Sequence, residues 1–156
     1  MNKYNFGEYN SKEKLLTLLN NFNDFKLDET DSSKALNLSS DAWHLTDFVF
    51  EEYKPELGFQ TLGDFRNDLF TQCDNLKIMH DLANASKHYN LSRPKAQIKL
   101  TRKHSGDFSS DFSKDFDISH LEIILENDEK LDFLLIIKNV IEFWKKFFNK
   151  NLNIIL

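Results

Sequence analysis

Apolar residues recur three and four positions apart from Leu15 to Tyr89, and this spacing predicts helices. Leu15, Leu16, Leu18, Leu19, Phe22 and Phe25 share one face of a first helix that begins after Asn10. Asn10 is a good cap, and Glu13 three residues on completes a capping box. A second helix is expected from about Ser32 to Lys54, stopping before Pro55. Its stripe is Ala35, Leu38, Ala42, Leu45, Val49 and Tyr53, flanked by Trp43 and Phe50. A third is expected from the cap Thr61 to about Tyr89, with Phe65, Leu69, Cys73, Leu76, Met79 and Ala83 as its stripe.

After Pro94 the period changes to two. Ala96, Ile98 and Leu100 alternate with Gln97, Lys99 and Thr101, and Leu121, Ile123 and Leu125 alternate with Glu122 and Glu126. Each run predicts a half-buried strand, so a hairpin is expected over about residues 95–126. Between the strands an Asp-Phe pair occurs three times, at Phe108, Phe112 and Phe116. This is either a loose hairpin tip or a loop that buries these rings in a protein partner. A last helix, from about Glu129 to Asn149, is apolar over much of its surface. It should be central or pack on a second subunit, and with the tail Leu152–Leu156 it motivates the expectation of a homodimer. The fold class is therefore mainly α: a bundle of about four helices with a β-hairpin inserted before the last, in a single domain over 1–156.

Composition agrees with this picture. The chain has 156 residues, 15 of them Phe, but only 4 Gly and 2 Pro, which favours helices over a turn-rich β fold. A formal net charge of -5 repels polyanions at long range, so nonspecific DNA binding is disfavoured unless a local basic patch overrides it. Cys73, the one cysteine, allows no intramolecular disulfide and no cysteine-built zinc site; between Leu69 and Leu76 it reads as a buried, inert thiol. No apolar run precedes the first charges and none is long enough to span a bilayer, so a cytoplasmic protein without membrane contact is the expectation.

The densest chemistry lies in Leu76–Leu91. His80, Asp81, Asn84, Lys87 and His88 fall on the polar arc of the third helix, with His80–Asn84 and Asn84–His88 as i, i+4 neighbours. Asn84, Lys87 and His88 are the candidate catalytic group: Asn84 to orient His88, Lys87 to neutralise a phosphate oxygen, and His88 to act as acid or base near neutral pH. The alternative is a polar arc that simply faces water. His44 and Asp47 on the second helix, with His80 and Asp81 on the third, form the supporting polar cluster where the two polar arcs meet. Trp43 is expected on the border of that seam. His44, Asp47 and Glu51 have a spacing that can ligate a divalent ion between helices, but Glu-x-x-His pairs and HEXXH are absent, so no metal is expected. Phosphate-loop, dinucleotide and nucleophile-elbow motifs are also absent, and no cofactor is implied.

Ala42-Trp43-His44, Asp47-Phe48, then Asn84, Lys87 and His88 resemble small uncharacterised bacterial proteins with an A-W-H-x-x-D-[WF] … N-x-x-K-H pattern over roughly residues 35–145. More distantly the long-helix bundle is similar to HEPN-type domains. That resemblance implies a dimeric, RNA-directed effector of a toxin–antitoxin or anti-phage system, with a metal-independent RNase-like activity. The HEPN signature of Arg, four to six residues, then His does not occur after Arg66, Arg93 or Arg102, so the resemblance would place the centre on Asn84, Lys87 and His88. The other functional class is a non-catalytic interaction module of the immunity or antitoxin type, which the acidic charge and the Phe-rich tip favour.

Overall fold

The computed structural model describes residues 10–107 and 118–156. The expected Phe108/Phe112/Phe116 docking tip lies outside the described residues. Within them the chain forms helices α1 (Ser11–Phe25), α2 (Ser32–Leu57), α3 (Leu62–Gln72), α4 (Leu76–Ala85) and α5 (Phe133–Leu152). Strands β1 (Ile98–His104), β2 (His120–Leu125) and β3 (Lys130–Asp132) make one antiparallel sheet in the order β1-β2-β3. The fold is mainly α, with the hairpin ahead of the last helix.

Local signals set the helix starts. Asn10 accepts from the Glu13 amide at 2.9 Å, and Glu13 accepts from the Asn10 amide at 3.2 Å, which closes the capping box on α1. The Asp31 carboxylate caps α2 through the Lys34 amide at 3.0 Å, and Thr61 Oγ1 caps α3 through the Asp64 amide at 3.1 Å. At the other end of α2 the chain leaves through Gly58 at φ 74°, a conformation glycine adopts without the Cβ clash.

Several boundaries differ from expectation, among them the end of the third helix, at Ala85 rather than near Tyr89. The second helix does not end before Pro55 but bends at Tyr53 (φ -121°, ψ 19°) and continues for a last turn to Leu57, because a proline near a helix end kinks it more readily than it stops it. The third helix is two helices. Cys73 adopts an extended conformation (φ -146°, ψ 94°), and Leu76 restarts the chain after a turn in which its amide donates to the Cys73 carbonyl at 3.1 Å. Asp74 and Asn75 suit that turn, since both hydrogen-bond locally in place of a helix ladder. The last helix starts four residues late, at Phe133, because Asp132 caps it through the Leu134 amide at 2.9 Å and Lys130–Asp132 pair as β3 instead.

The core sits around α2. Helices α1 and α4 pack along it, and α3 and α5 add further contacts. Leu38, Ala42, Leu45 and Val49 are almost wholly buried on this helix, against Leu15, Leu18, Leu76, Met79 and Ile137 in the same core. Most apolar residues of α5 are buried within this chain, Trp144 and Phe148 completely, so the helix is central. Only Leu135 (54 % exposed) breaks that pattern strongly. Among the described residues no helix is long and apolar enough to cross a membrane.

The sheet departs from simple alternation. A bulge between Ile98 and Leu100 shifts β1 by one residue, so Leu100 pairs with Ile124 on the same face as Arg102 and Glu122, and is 41 % exposed. Glu122 and Ile124 are themselves buried, so β2 is covered on both faces. Glu122 accepts from Arg102 Nε at 2.6 Å. Burial pushes its carboxyl up, but the hydrogen bond and charge of Arg102 outweigh that and hold it below its ordinary value.

Trp144 ties α5 to α2. Its indole Nε1 donates to the Ala42 carbonyl at 3.0 Å inside the core. Replacing Trp144 by Phe deletes that donor and leaves a gap in the core, so urea unfolding should show a loss of about 1–3 kcal/mol. An unchanged midpoint would mean that the bond contributes nothing.

Candidate functional site

The residues singled out in the sequence gather near the end of α4, but not in the arrangement expected. The spacing puts Asp81 on the polar arc of the third helix, yet the residue is only 2 % exposed. The chain leaving α4 doubles back over it, and its carboxylate accepts from the Lys95 amide at 2.8 and 2.9 Å and from the Ala96 amide at 2.8 Å. A buried carboxylate is tolerable only with such a full set of donors. A third donor is His80, whose Nδ1–H donates to Asp81 Oδ1 at 2.6 Å. In the neutral ring that bond selects the tautomer with the proton on Nδ1, whose lone pair lies on Nε2.

His80 is part of the α2–α4 seam. Its ring stands edge-on to Trp43, 4.8 Å between centroids. Trp43 also stacks on Phe70 of α3 at 5.8 Å, and the Arg66 guanidinium lies 4.4 Å from its ring centre. Trp43 therefore borders the seam, as the sequence suggested. Arg66 was missed. It donates from Nε to Thr46 Oγ1 at 2.8 Å and from Nη2 to Asp47 at 2.9 Å. Burial pushes its guanidinium below the usual value, and Asp47 opposes that shift. Asp47 is thus committed to α3 and does not join Asn84, Lys87 and His88.

Those three do not form one side-chain network. The Asn84 amide group donates to the His80 carbonyl at 2.9 Å, while the backbone carbonyl of Asn84 accepts from the Lys87 and His88 amides, each at 3.0 Å. The helix has ended by Ala85, so Lys87 and His88 lie beyond it and both are exposed. His88 nonetheless shares a cleft of about 300 Å³ with His80 and Asn84, whose further lining comes from Asn90, Leu91, Ser92 and Arg93 in the loop after α4. Arg93 is the other group that sequence reasoning passed over; its only signal was a cation just before Pro94, where the chain must turn back.

His44 sits half-buried on α2. Burial pushes its pKa below the ordinary value, the positive charges of Lys87 and Lys14 push the same way, and Asp47 and Asp41 oppose them. Lys87 therefore faces His44 electrostatically. Cys73 is buried, burial raises its thiol pKa, and its Sγ lies 3.6 Å from Asn139 Oδ1, as expected of an unreactive cysteine. Among the described residues no group of three or more His, Cys, Asp or Glu side chains is placed to hold a metal ion. A second cavity, about 190 Å³ between the start of α2 and the sheet, is mostly apolar, and its Arg102 and Glu122 are engaged with each other.

Compared with known protein families, curated proteins and solved structures, the chain matches none.

Two outcomes test this geometry. Asp81→Asn puts an amide N–H against backbone donors, so the Lys95 and Ala96 amides should lose their hydrogen-exchange protection. Overall stability should also fall by about 1.5–3 kcal/mol. Unchanged exchange would contradict the anchoring role. His44 gives the second. Because its folded pKa lies below the unfolded value near 6.5, its contribution to stability is complete above that pH and is lost as pH falls from there through the folded pKa. In an NMR titration Lys87→Met should raise the His44 pKa; no movement would separate the two residues.

Proposed function

We propose that this chain is an RNA-directed effector that cleaves phosphodiester bonds at the cleft beyond α4. The observation that carries the reading is the Asp81–His80 pair at 2.6 Å, on a histidine that lines a cleft with a second histidine and an arginine. In this reading His80 Nε2 takes the proton of a ribose 2′-hydroxyl, and the 2′-oxygen attacks the adjoining phosphorus. The P–O5′ bond breaks, and the departing 5′-oxygen takes a proton from His88. The products are a 2′,3′-cyclic phosphate and a free 5′-hydroxyl. Arg93 meets the charge on the phosphate oxygens, Asn84 holds the α4 wall through the His80 carbonyl, and Lys87 adds positive potential nearby. RNA supplies its own nucleophile, so two histidines of suitable protonation suffice for the proton transfers. The HEPN-type resemblance would put this activity in a bacterial toxin–antitoxin or anti-phage system, with the protein acting as a dimer.

With a labelled single-stranded RNA in EDTA, His80→Gln and His88→Ala should each lower the cleavage rate by about 10²–10⁴-fold. His88 is exposed, so its substitution should leave the melting temperature unmoved. Full activity in both variants, or RNA left intact by the wild-type protein, would overturn the reading.

A non-catalytic interaction module is the second reading. What favours it is a patch where Ile155 (81 % exposed) and Leu156 (45 %) adjoin Lys145, Lys146 and Lys150 along a depression of about 420 Å³. If a second copy of the chain covers this patch, light scattering should give twice the monomer mass, and Ile155→Asp should return it to the monomer. A monomer at high micromolar concentration would remove the homodimer.

A further inference from the structure

Tyr89 stands between His88 and Asn90, both of which line the cleft. It keeps 103 % of its reference surface, so folding hides none of it. Among the described residues its ring makes no aromatic contact and its hydroxyl no hydrogen bond. The other aromatic residues near the seam behave differently: Trp43 is sandwiched among Phe70, Arg66 and His80. Tyr89 therefore contributes no burial to the fold, and its large amphipathic face is presented to solvent between two residues that line a polar cleft with an arginine.

We propose that Tyr89 is a base-stacking platform and that the substrate is single-stranded RNA; this deepens the reading of the cleft given above and rests on it. A phosphodiester held at Arg93 between the two histidines leaves the bases on either side of it outside the cleft. In a duplex those bases are stacked on their neighbours and paired. In a single strand they are free to splay onto an exposed ring, and such stacking is tolerant of sequence because every base has a π-face. Tyr89 need not line the cleft for this, since the base it takes belongs to a nucleotide that flanks the held phosphate. Asn84 and Asn90 supply amide donors and acceptors at the same site, suited to base edges or to the 2′-hydroxyl. An acidic chain gains little from long-range attraction to RNA, so local stacking and one or two phosphate contacts must carry affinity.

The test uses the full chain and a fluorescein-labelled single strand of about ten nucleotides, 2′-fluoro-substituted so that it cannot be cut, with binding read by anisotropy. Tyr89→Ala should weaken binding roughly 5- to 150-fold, and Tyr89→Phe, which keeps the ring, should stay within about twofold of wild type. A blunt duplex of the same sequence should bind at least about tenfold more weakly than the single strand. Full exposure of the side chain means that neither variant should alter the melting temperature. Equal binding by Tyr89→Ala and wild type would overturn the stacking role, even where unmodified RNA is still cleaved with dependence on His80 and His88. Tyr89-dependent binding without any cleavage of unmodified RNA would uphold stacking and sink the catalytic reading instead. Absence of single-strand binding by the wild-type chain would overturn the proposal outright.

Discussion

The arrangement around the cleft depends on one buried carboxylate. After α4 the chain must cross to the hairpin, and the Lys95 and Ala96 amides arrive before β1 begins at Ile98 and offers ladder partners. A buried carboxylate without donors is costly. Asp81 avoids that cost: its two oxygens receive three backbone contacts and the His80 ring. A neutral residue at this position could satisfy only part of that set. The loop over 86–97 therefore hangs from α4 at a single charged point, and the cleft is the space left between that loop and the end of the helix.

The second constraint is the crowding around α2. Small residues there, Ala35, Ser39 and Ala42, let neighbouring elements approach closely, and the Trp144 indole reaches the Ala42 carbonyl. On the other flank Trp43 collects α3 through Phe70 and Arg66, and α4 through His80. The break at Cys73 makes this possible. A continuous helix from Leu62 to Ala85 could not turn both Phe70 and His80 onto one indole ring from two directions. The seam that orients His80 is thus a product of the same turn that the apolar periodicity concealed.

That concealment explains which parts of the fold were legible in the sequence. Caps at Asn10, Asp31 and Thr61 were readable because capping involves residues a few positions apart. The break at 73–75 was not, because Leu69, Cys73 and Leu76 keep a helical spacing and all three are buried on both sides of it. Leu100 was misplaced because a bulge inverts the faces of a strand without changing the alternation of residue types. In the site, the closeness of His80 and Asn84 and the border position of Trp43 followed from helix geometry, whereas the place of His88 did not, because the helix ends at Ala85. The burial of Asp81 did not, since it depends on a loop folding back from residues 14 and 15 positions away. Arg66 and Arg93 carried no periodic signal: Arg66 meets Trp43, Thr46 and Asp47 only once α3 packs on α2, and Arg93 reaches the cleft only once the loop folds back on α4.

The His80 ring and the loop position share a support in this arrangement. The carboxylate that bonds the His80 ring is the one that holds Lys95 and Ala96, two and three residues beyond Arg93. Loosening the loop would therefore free the histidine ring as well, and turning the ring away from Asp81 would remove one of the donors that make its burial tolerable. The two walls of the cleft are coupled through a residue that need not touch a substrate. Between the walls, Ala85 to Asn90 are all exposed and owe the core little. That stretch can vary in sequence without cost to the fold, so whatever His88, Tyr89 and Asn90 do, burial in the core does not fix their identity. Asp81, by contrast, is held by the fold itself, since its buried carboxylate anchors the Lys95 and Ala96 amides.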